Sequence, residues 1–460
     1  MTPNSTETRA KSAQKIRLAE LLGALSFALD LTEGQPEGHC IRSCWIGIHI
    51  GRELGLGTEQ IWELYYTLLL KDLGCSSNAA RICQLYLADD LAFKRNYKTV
   101  KTIPQTISFV LGHTGVGHSL PTRLRTALDV LLNSGEYSKE LFETRCHAGA
   151  DIARKLRFPE PVADGIQSLD EHWNGGGSPV GLSGTDIPVY ARIALLSQVI
   201  DVFNTSEGPA AAMTEAKTRS GTWFDPEIVA AFERVAADEE FWSALKADDI
   251  GEKLFALEPA QAQSLVDDDY LDDIVSGFAT VIDAKSPFTA GHSERVRIYT
   301  DLIAEELGID AAERRWLRRA ALLHDIGKLA ISNSILDKPG KLDEAEFREI
   351  RKHPVYSRMI LERIGIFADI AISAGAHHER LDGKGYPKAI SGNEIDLATR
   401  IITVADVFDA LTSDRPYWQG RSPDEAVIKM GQELGTAFDA DCYAALVRAL
   451  EKRGTIAEAA

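Results

Sequence analysis

The stretch ALLHDIGK, residues 321–328, decides how this 460-residue chain is interpreted. It places His324 and Asp325 side by side in an otherwise apolar helical pattern, where a carboxylate without a partner is costly. An earlier stretch, LLLKDLGC at residues 68–75, has the same apolar pattern, with Lys71 in place of the histidine and Asp72 in place of the aspartate. The chain therefore carries two related segments, 253 residues apart.

The similarity extends in both directions from these segments. His39 and His292, each preceded by glycine, begin two similar helical patterns with the same separation of 253 residues. Farther along, NGGGSPVGLSG at 174–184 matches DGKGYPKAISG at 382–392, but the separation has fallen to 208. The difference predicts an insertion around residues 85–137 of the first copy. We predict two tandem copies of one domain, called here the first and second repeat.

The predicted fold class is all-α. Apolar residues recur at helical spacing in both repeats, whereas the alternation typical of strands is scarce. The predicted organisation is a flexible tail (1–15), a first repeat (16–240), a helical linker (241–270) and a second repeat (271–460).

The composition limits the partners. A formal net charge of -18 without a basic stripe argues against long nucleic acid. The chain has neither a long apolar run nor the apolar region of a signal peptide, so we predict no membrane span and a cytoplasmic location. Cys40 and Cys44 share a helix face beside His39, but buried thiols are favoured there over a metal site.

The second repeat concentrates residues that bind metals: His292, His324, Asp325, His353, His377, His378 and Asp406. Imidazoles and carboxylates without a thiolate are typical of Fe, Mn, Ni or Zn in a hydrolytic centre. Any one histidine is explained as an ordinary surface or core residue, but two adjacent pairs in one domain are not. Two six-coordinate ions that share this set and a hydroxide keep about two positions for substrate oxygens, which suits hydrolysis of a phosphodiester.

Five motifs in order give the second repeat a resemblance to a known family: AGHSERV (290–296), LLHDIGK (322–328), KHP (352–354), HHERLDGKGYP (377–387) and ADVFDALTSDRPY (405–417). From about residue 271 to 450, the chain resembles the HD-GYP family of cyclic di-GMP phosphodiesterases. The resemblance implies a helical HD fold, a centre of two or three metals, and hydrolysis of cyclic di-GMP to pGpG or GMP.

The resemblance also implies roles for individual residues. One metal would be held by His292, His324, Asp325 and Asp406, and the other by Asp325, His353, His377 and His378, with Asp325 bridging. Asp325 and Lys328 would be catalytic, with the Lys328 ammonium at a substrate phosphate or the leaving oxygen; the alternative is a solvated helix lysine. Substrate contacts are expected from Lys328, Tyr386, Arg415 and Trp418, although Arg415 is also compatible with a loop salt bridge.

Two positions depart from the family pattern. Phe288 stands where members with three metals commonly carry a glutamate, so we predict two divalent metals, with Fe or Mn favoured over Ni or Zn. Trp418 stands where a basic residue is common. An indole does not pair with phosphate, but it stacks on the face of a guanine.

The first repeat lacks most of this set. Lys71 replaces His324, Gln198 replaces Asp406, Leu169-Asp170 replaces the histidine pair, and His353 aligns with Arg145 or, less well, lies near His147. His39 and Asp72 are retained, and two ligands do not hold a dinuclear centre. We predict a degenerate, non-catalytic domain that packs on the second repeat or forms a homodimer interface. The alternative is a domain that senses a ligand and gates the second repeat.

Three functions follow from these observations. Hydrolysis of cyclic di-GMP is favoured, because a complete ligand set generates a nucleophile that a receptor does not need. A cyclic di-GMP receptor without turnover is the first alternative. A phosphodiesterase for another cyclic dinucleotide is the second.

Overall fold

The computed structural model describes residues 16–97, 103–259, 265–414 and 419–456, and the predicted all-α class is confirmed. Within these ranges the only sheet is a two-stranded antiparallel ladder of β1 (Ile16–Arg17) and β2 (Leu265–Val266). The predicted flexible tail, 1–15, lies outside the described residues. No helix in the described ranges is both long enough and apolar enough to cross a membrane.

The helices follow the two repeats. The first half contains α1 (Leu18–Thr32), α2 (His39–Glu53), α3 (Thr58–Leu70), α4 (Ala79–Tyr86), α5 (Asp90–Tyr97), α6 (Ile103–His113), α7 (Leu120–Leu132), α8 (Ser134–Lys155), α9 (Glu160–Gln167), α10 (Val189–Glu207), α11 (Pro209–Arg219) and α12 (Pro226–Val235). Next come α13 (Glu239–Ala244) and α14 (Ile250–Ala256). The second half contains α15 (Asp268–Asp283), α16 (His292–Glu306), α17 (Ala311–Leu323), α18 (Asn333–Leu336), α19 (Glu344–Ile350), α20 (His353–Leu361), α21 (Ala368–Ala374), α22 (Leu397–Thr412), α23 (Pro423–Gly431) and α24 (Ala440–Lys452). Short 3-10 helices span Gly184–Asp186, Ile326–Ala330, Gly365–Phe367 and Gly392–Glu394.

Glycine fixes the start of α2 and of α16 in the same way. Gly38 and Gly291 precede these helices with φ angles of 84° and 68°, a left-handed conformation that glycine adopts without the steric cost of a Cβ. His39 and His292 are consequently the first residues of their helices. Each Gly-His pair thus places a histidine at the start of a helix, where the histidine is buried in its domain.

The HDIGK segment is not the continuous helix that its apolar pattern predicts. Helix α17 ends at Leu323, and a 3-10 helix begins at Ile326. A Cβ on Gly327 would lie 2.0 Å from the His353 carbonyl oxygen, so the turn approaches the start of α20 at a distance that only glycine permits. Ser357 fixes this contact, because its hydroxyl donates to the His324 carbonyl oxygen at 2.8 Å.

The first repeat makes the same close approach. A Cβ on Gly74 would lie 1.9 Å from the carbonyl oxygen of Arg145. Arg145 therefore occupies the place that His353 has in the second repeat, as the sequence alignment predicts. The predicted insertion region holds α5, α6 and α7, whose apolar residues pack in a small core of their own around Phe93, Phe109 and Val130.

The repeats pack on each other reciprocally. Helix α1 of the first repeat lies on α20 and the 326–330 turn of the second, while α15 of the second repeat lies on α8 of the first. Gly277 of α15 lets Leu156 approach closely, and the Tyr270 hydroxyl donates to the Leu156 carbonyl oxygen at 3.1 Å. One buried apolar core runs through both halves. The exact domain boundaries stay a prediction, although α13 and α14 lie in the predicted linker.

Candidate metal centre

The seven predicted ligands come from separate elements and meet in one place. His292 begins α16, His353 begins α20, and Asp406 lies in the buried side of α22. His324 and Asp325 occupy the turn after α17, and the histidine pair follows α21. The predicted ligands are His292, His324, Asp325, His353, His377, His378 and Asp406. The structure brings all of them together.

The ligand atoms form two groups. His292, His324 and Asp406 offer one ligand atom each, and these atoms lie within 4.8 Å of one another. His353, His377 and His378 form a second group by the same measure. Each group has the donor number and the donor chemistry for one divalent ion.

Asp325 lies between the two groups and faces both. Its Oδ2 atom is 3.3 Å from the Nε2 atom of His292 and 3.3 Å from that of His324. Its Oδ1 atom is 3.3 Å from Nε2 of His353 and 3.7 Å from Nε2 of His377. One carboxylate oxygen thus serves each group, which is the arrangement that a bridging ligand requires.

The outer ring nitrogens orient the imidazoles. Nδ1 of His292 lies 2.7 Å from Asp409 Oδ2, and Nδ1 of His324 lies 2.7 Å from the Ala321 carbonyl oxygen. His353 and His377 make the same type of contact with backbone carbonyl oxygens, at 2.6 and 2.8 Å. A carbonyl or carboxylate at Nδ1 places the proton there and leaves the inward Nε2 lone pair for a metal.

The buried polar atoms of the site fit a cation. Within the described part of the chain, Nε2 of His292, Nε2 of His324 and Oδ1 of Asp325 are buried without a hydrogen-bond partner. A buried polar group without a partner costs free energy. A divalent ion in the first group would satisfy the two imidazole nitrogens, and an ion in the second group would satisfy Oδ1 of Asp325. The donor set therefore fits the metals that the sequence predicts.

The histidine pKa values of the two groups shift in opposite directions. Burial alone would lower the pKa of His324, but the carboxylates of Asp325 and Asp406 outweigh it and raise the value to about 9. The same carboxylates and Asp409 raise the pKa of His292 well above its usual value against burial. In the second group, burial lowers the pKa of His353 to about 3 and that of His378 to about 4. The carboxylates therefore raise the pKa values of His292 and His324, whereas burial lowers those of His353 and His378.

Lys328 reaches the centre from the 3-10 helix. Its Nζ atom lies 2.5 Å from Asp325 Oδ2, and 16% of its side chain is exposed. The ammonium is therefore at the edge of the ligand cluster, with access to solvent. The alternative of a lysine solvated on a helix surface does not match this position.

Tyr386 covers the second group. Its ring stacks on that of His378 with 4.8 Å between the ring centroids and 27° between the planes. The guanidinium carbon of Arg351 lies 5.0 Å from the Tyr386 ring centroid. Glu379 shapes this loop, because its Oε1 atom accepts a hydrogen bond from the Lys388 backbone at 2.7 Å. The other two predicted substrate contacts, Arg415 and Trp418, lie outside the described residues.

Asp409 also belongs to this site, although the sequence motifs did not indicate it. It holds both the ring of His292 and the guanidinium of Arg295, whose Nε atom is 2.6 Å from Oδ1. The first repeat has the same contact between His39 and Asp201, again at 2.7 Å. A signal was present, because Asp201 and Asp409 keep the separation of 208 residues.

Cations occupy the equivalent place in the first repeat. Lys71 forms a buried ion pair with its neighbour Asp72, and Arg145 pairs with Asp170. These side chains stand where the second repeat has His324, Asp325, His353 and His378. Cys40 and Cys44 are free and buried, as predicted. The first repeat is degenerate at its ligand positions, as the sequence predicts.

Comparison with known proteins agrees with this geometry. The HD domain family matches residues 113–228 and 278–442, which together exceed half of the chain and fall once in each repeat. The chain belongs to the HD domain family. The sequence-based assignment of an HD-type first repeat and an HD-GYP second repeat is thereby confirmed.

Individual HD-domain proteins are similar over different lengths. The 3'3'-cGAMP-specific phosphodiesterase 3 of Vibrio cholerae is 55% identical over 434 residues, 94% of each chain. The crystal structure of a cyclic GMP-AMP specific phosphodiesterase of V. cholerae matches 95% of this chain and 98% of its own, with 49% identity and a TM-score of 0.65. The cyclic di-GMP phosphodiesterase response regulator RpfG of Xanthomonas campestris is 40% identical over 181 residues, 38% of this chain and 47% of its own. The predicted assignment to the phosphodiesterases is confirmed.

Proposed function

We propose that this HD-domain phosphodiesterase hydrolyses 3'3'-cGAMP. The observation that carries the proposal is the 55% identity to the 3'3'-cGAMP-specific enzyme, which extends over 94% of both chains and so includes both repeats. Cyclic di-GMP, the substrate favoured by the motifs, is the second candidate. Its support comes from relatives such as RpfG, which match only 38% of this chain.

We assign the seven clustered residues to two divalent metals. His292, His324 and Asp406 would hold one ion, and His353, His377 and His378 the other, with Asp325 between them. Such a pair supplies a hydroxide nucleophile at neutral pH and neutralises the charge of the phosphate. The nitrogen and oxygen donors favour Fe or Mn, with Ni or Zn as alternatives. Two ions are proposed because Phe288 offers no ligand where a third would require one.

Lys328 is the proposed cation for the substrate phosphate or the leaving ribose oxygen. Its ammonium lies beside Asp325 and reaches solvent at the edge of the cluster, where a phosphodiester would arrive. An ammonium in this position stabilises negative charge that develops on the phosphoryl group or donates a proton to the leaving oxygen. Asp409 acts through His292 and is a positioning residue.

Tyr386 is the proposed contact for a nucleobase or ribose. It lies against His378 and under Arg351, so its ring marks one wall of the approach to the second group. Arg415 and Trp418 are proposed as further contacts on the sequence motif alone.

A substrate comparison tests the proposal. Purified protein loaded with Mn or Fe is given 3'3'-cGAMP and cyclic di-GMP in separate reactions, and products are followed by chromatography. The proposal predicts a higher kcat/KM for 3'3'-cGAMP and no product from a His324→Ala/Asp325→Ala variant. A higher kcat/KM for cyclic di-GMP would favour the second candidate. Binding of either nucleotide without product would favour a receptor.

A further inference from the structure

A cavity lies at the degenerate site of the first repeat. Its volume is about 430 Å³, and its lining includes Arg145, Asp170 and Gln198. These three residues align with His353, His378 and Asp406 of the metal centre. The first repeat therefore has a cavity beside the positions that correspond to these three ligands.

Residues of the inserted helices line one part of this cavity. Phe93 and Lys94 of α5, Thr106 of α6, and Leu141 and Phe142 of α8 line the cavity from the side of the inserted helices. In the second repeat the corresponding segment is shorter by 45 residues and has only α19 between α18 and α20. With these helices, the cavity of the first repeat has the size that small-molecule ligands use.

Arg219 contributes a guanidinium to the cavity lining, and one of its nitrogens has no hydrogen-bond partner among the described residues. The residue is 7% exposed, and its Nη2 atom is buried without a hydrogen-bond partner among the described residues. Its Nε atom is used by Glu215, and its guanidinium lies 3.9 Å above the ring of Trp223. An unpaired guanidinium N–H at a cavity wall is a donor for an oxyanion.

The charge at this position is reversed relative to the second repeat. The motifs GTWFDPE and GTAFDAD, at 221–227 and 435–441, align Arg219 with Glu433. Glu433 pairs with Arg380 at 2.9 Å, whereas the residue that aligns with Arg380 is His172. Burial first and Arg219 second lower the pKa of His172 to about 4, so this imidazole is uncharged. The positive charge of this pair of positions is therefore on Arg219 in the first repeat and on Arg380 in the second.

Each cation of the lining has a carboxylate partner. Lys94 lies 3.4 Å from Glu33, Arg145 pairs with Asp170, and Arg219 pairs with Glu215. Arg219 still keeps its Nη2 atom without a hydrogen-bond partner in the described ranges, so its guanidinium is the group available to a ligand.

Part of the cavity lining is apolar and aromatic. Ile82, Tyr86, Phe93, Leu141 and Phe142 contribute to it. Tyr86 and Phe93 pack with 4.1 Å between their ring centroids, which makes a rigid aromatic wall. A ligand that contacts both the aromatic residues and the Arg219 guanidinium carries a planar apolar group and an anionic group. A cavity of about 430 Å³ is the size for a mononucleotide rather than an extended dinucleotide.

We propose that the first repeat binds a nucleoside monophosphate in this cavity, with the phosphate on Arg219 and the base against the Tyr86–Phe93 wall. The site is distinct from the metal centre and does not depend on which cyclic dinucleotide is hydrolysed. It gives the degenerate repeat a ligand-binding function.

Calorimetric titration of full-length His324→Ala/Asp325→Ala protein with GMP and AMP tests the proposal, because this variant lacks the central metal ligands. We expect saturable binding of at least one of the two nucleotides and much weaker binding of inorganic phosphate, which has no base. Adding Arg219→Leu should weaken binding about tenfold or more, the effect of losing a charge-assisted hydrogen bond. Arg234→Leu, which removes the same charge from an exposed position, should leave it unchanged.

A second variant protects the test against misfolding. Ser138 lines the cavity from α8 and is partly exposed, so Ser138→Trp should fill the space and abolish binding while the melting temperature is retained. No saturable binding of either nucleotide at millimolar concentration would overturn the proposal. Binding that both variants leave unchanged would place the nucleotide elsewhere and would also overturn it.

Discussion

Asp90 of the first repeat and Lys285 of the second form a buried ion pair, with 2.7 Å between Oδ2 and Nζ. The other carboxylate oxygen of Asp90 accepts hydrogen bonds from the Ser332 hydroxyl at 3.0 Å and from the Asn333 backbone at 2.8 Å. Lys285 precedes the Gly-His start of α16, and Ser332 follows the 3-10 helix that carries Lys328. One residue of the inserted helices therefore holds both loops that flank the metal centre.

Replacing Asp90 by alanine should destabilise the protein strongly. Lys285 would remain buried without its counter-ion, and breaking one side of a buried pair costs about 3–5 kcal/mol. Urea unfolding measures the loss, and Asp90→Ala/Lys285→Met should recover much of it because no charge is left unpaired. Glu160→Ala, which breaks an exposed pair with Arg154, is the matched control and should cause no measurable change. An Asp90→Ala protein as stable as this control would contradict the stabilising role of the Asp90–Lys285 pair.

The stability contributed by this pair should depend on pH. Burial alone would raise the pKa of Asp90, but the ammonium of Lys285 outweighs it and lowers the pKa below its usual value. The contribution is therefore fully present above the unfolded-state pKa of about 3.9 and is lost as the pH falls through the lower folded value. The difference in unfolding free energy between the unmodified protein and Asp90→Asn should shrink in acid. A difference that grew below about pH 4 would have the wrong sign.

Asp409→Asn should weaken metal binding without unfolding the chain. The carboxylate orients His292 through its Nδ1 atom, and loss of such a partner typically lowers metal affinity about 10–100-fold. Competition with a chelator, followed by metal analysis, measures this change. Asp201→Asn breaks the same contact in the first repeat and should leave the metal content unchanged. Equal loss of metal in both variants would mean that the effect is structural.

Gly327→Ala should reduce both stability and activity. The added methyl group would meet the His353 carbonyl oxygen at 2.0 Å, so α20 and its histidine must shift. Overpacking of this kind costs about 1–3 kcal/mol. Gly365→Ala is the control, since its Cβ would meet no atom within 4 Å. Thermal unfolding and turnover are measured on both, and unchanged turnover in Gly327→Ala would contradict the predicted dependence of the centre on this turn.

Lys328→Met should lower kcat and leave the metal content intact. The ammonium touches Asp325 but belongs to neither group of ligand atoms. Removal of a proton donor or charge stabiliser at the reacting centre typically costs about 10²–10⁴-fold in rate. Lys388→Met, on the loop beyond Tyr386, provides the matched loss of charge and should stay within about twofold. Loss of metal from Lys328→Met would instead indicate a structural role.

The cluster of candidate ligands was predictable because each candidate lies in a short motif with an unusual composition. The pairs at 324–325 and 377–378 are explained by metal binding more readily than by packing, and Gly291 indicates the helix start that positions His292. Helical periodicity also predicts the all-α class, because both repeats bury one face of most helices. Local patterns of this kind are read directly from the chain.

Features that depend on contacts across the fold were not predictable in the same way. The 3-10 turn after His324 results from the contact of Gly327 with α20, and the apolar periodicity of the segment indicates only a helix. The cavity in the first repeat is lined by Lys94 of the insertion and by Arg145 of the repeated core, two residues that no shared motif connects. Sequence comparison between the repeats identified the insertion but not the space that it encloses.

We expect the clustered residues of the second repeat to hold two divalent metals and the protein to hydrolyse 3'3'-cGAMP. Anaerobically purified protein should contain about two divalent metals per chain, the number that a two-metal displacement requires. It should convert 3'3'-cGAMP to linear products, while His324→Ala/Asp325→Ala should retain neither metals nor turnover. Turnover that persists in this variant, or metal-loaded protein that forms no product, would contradict the claim.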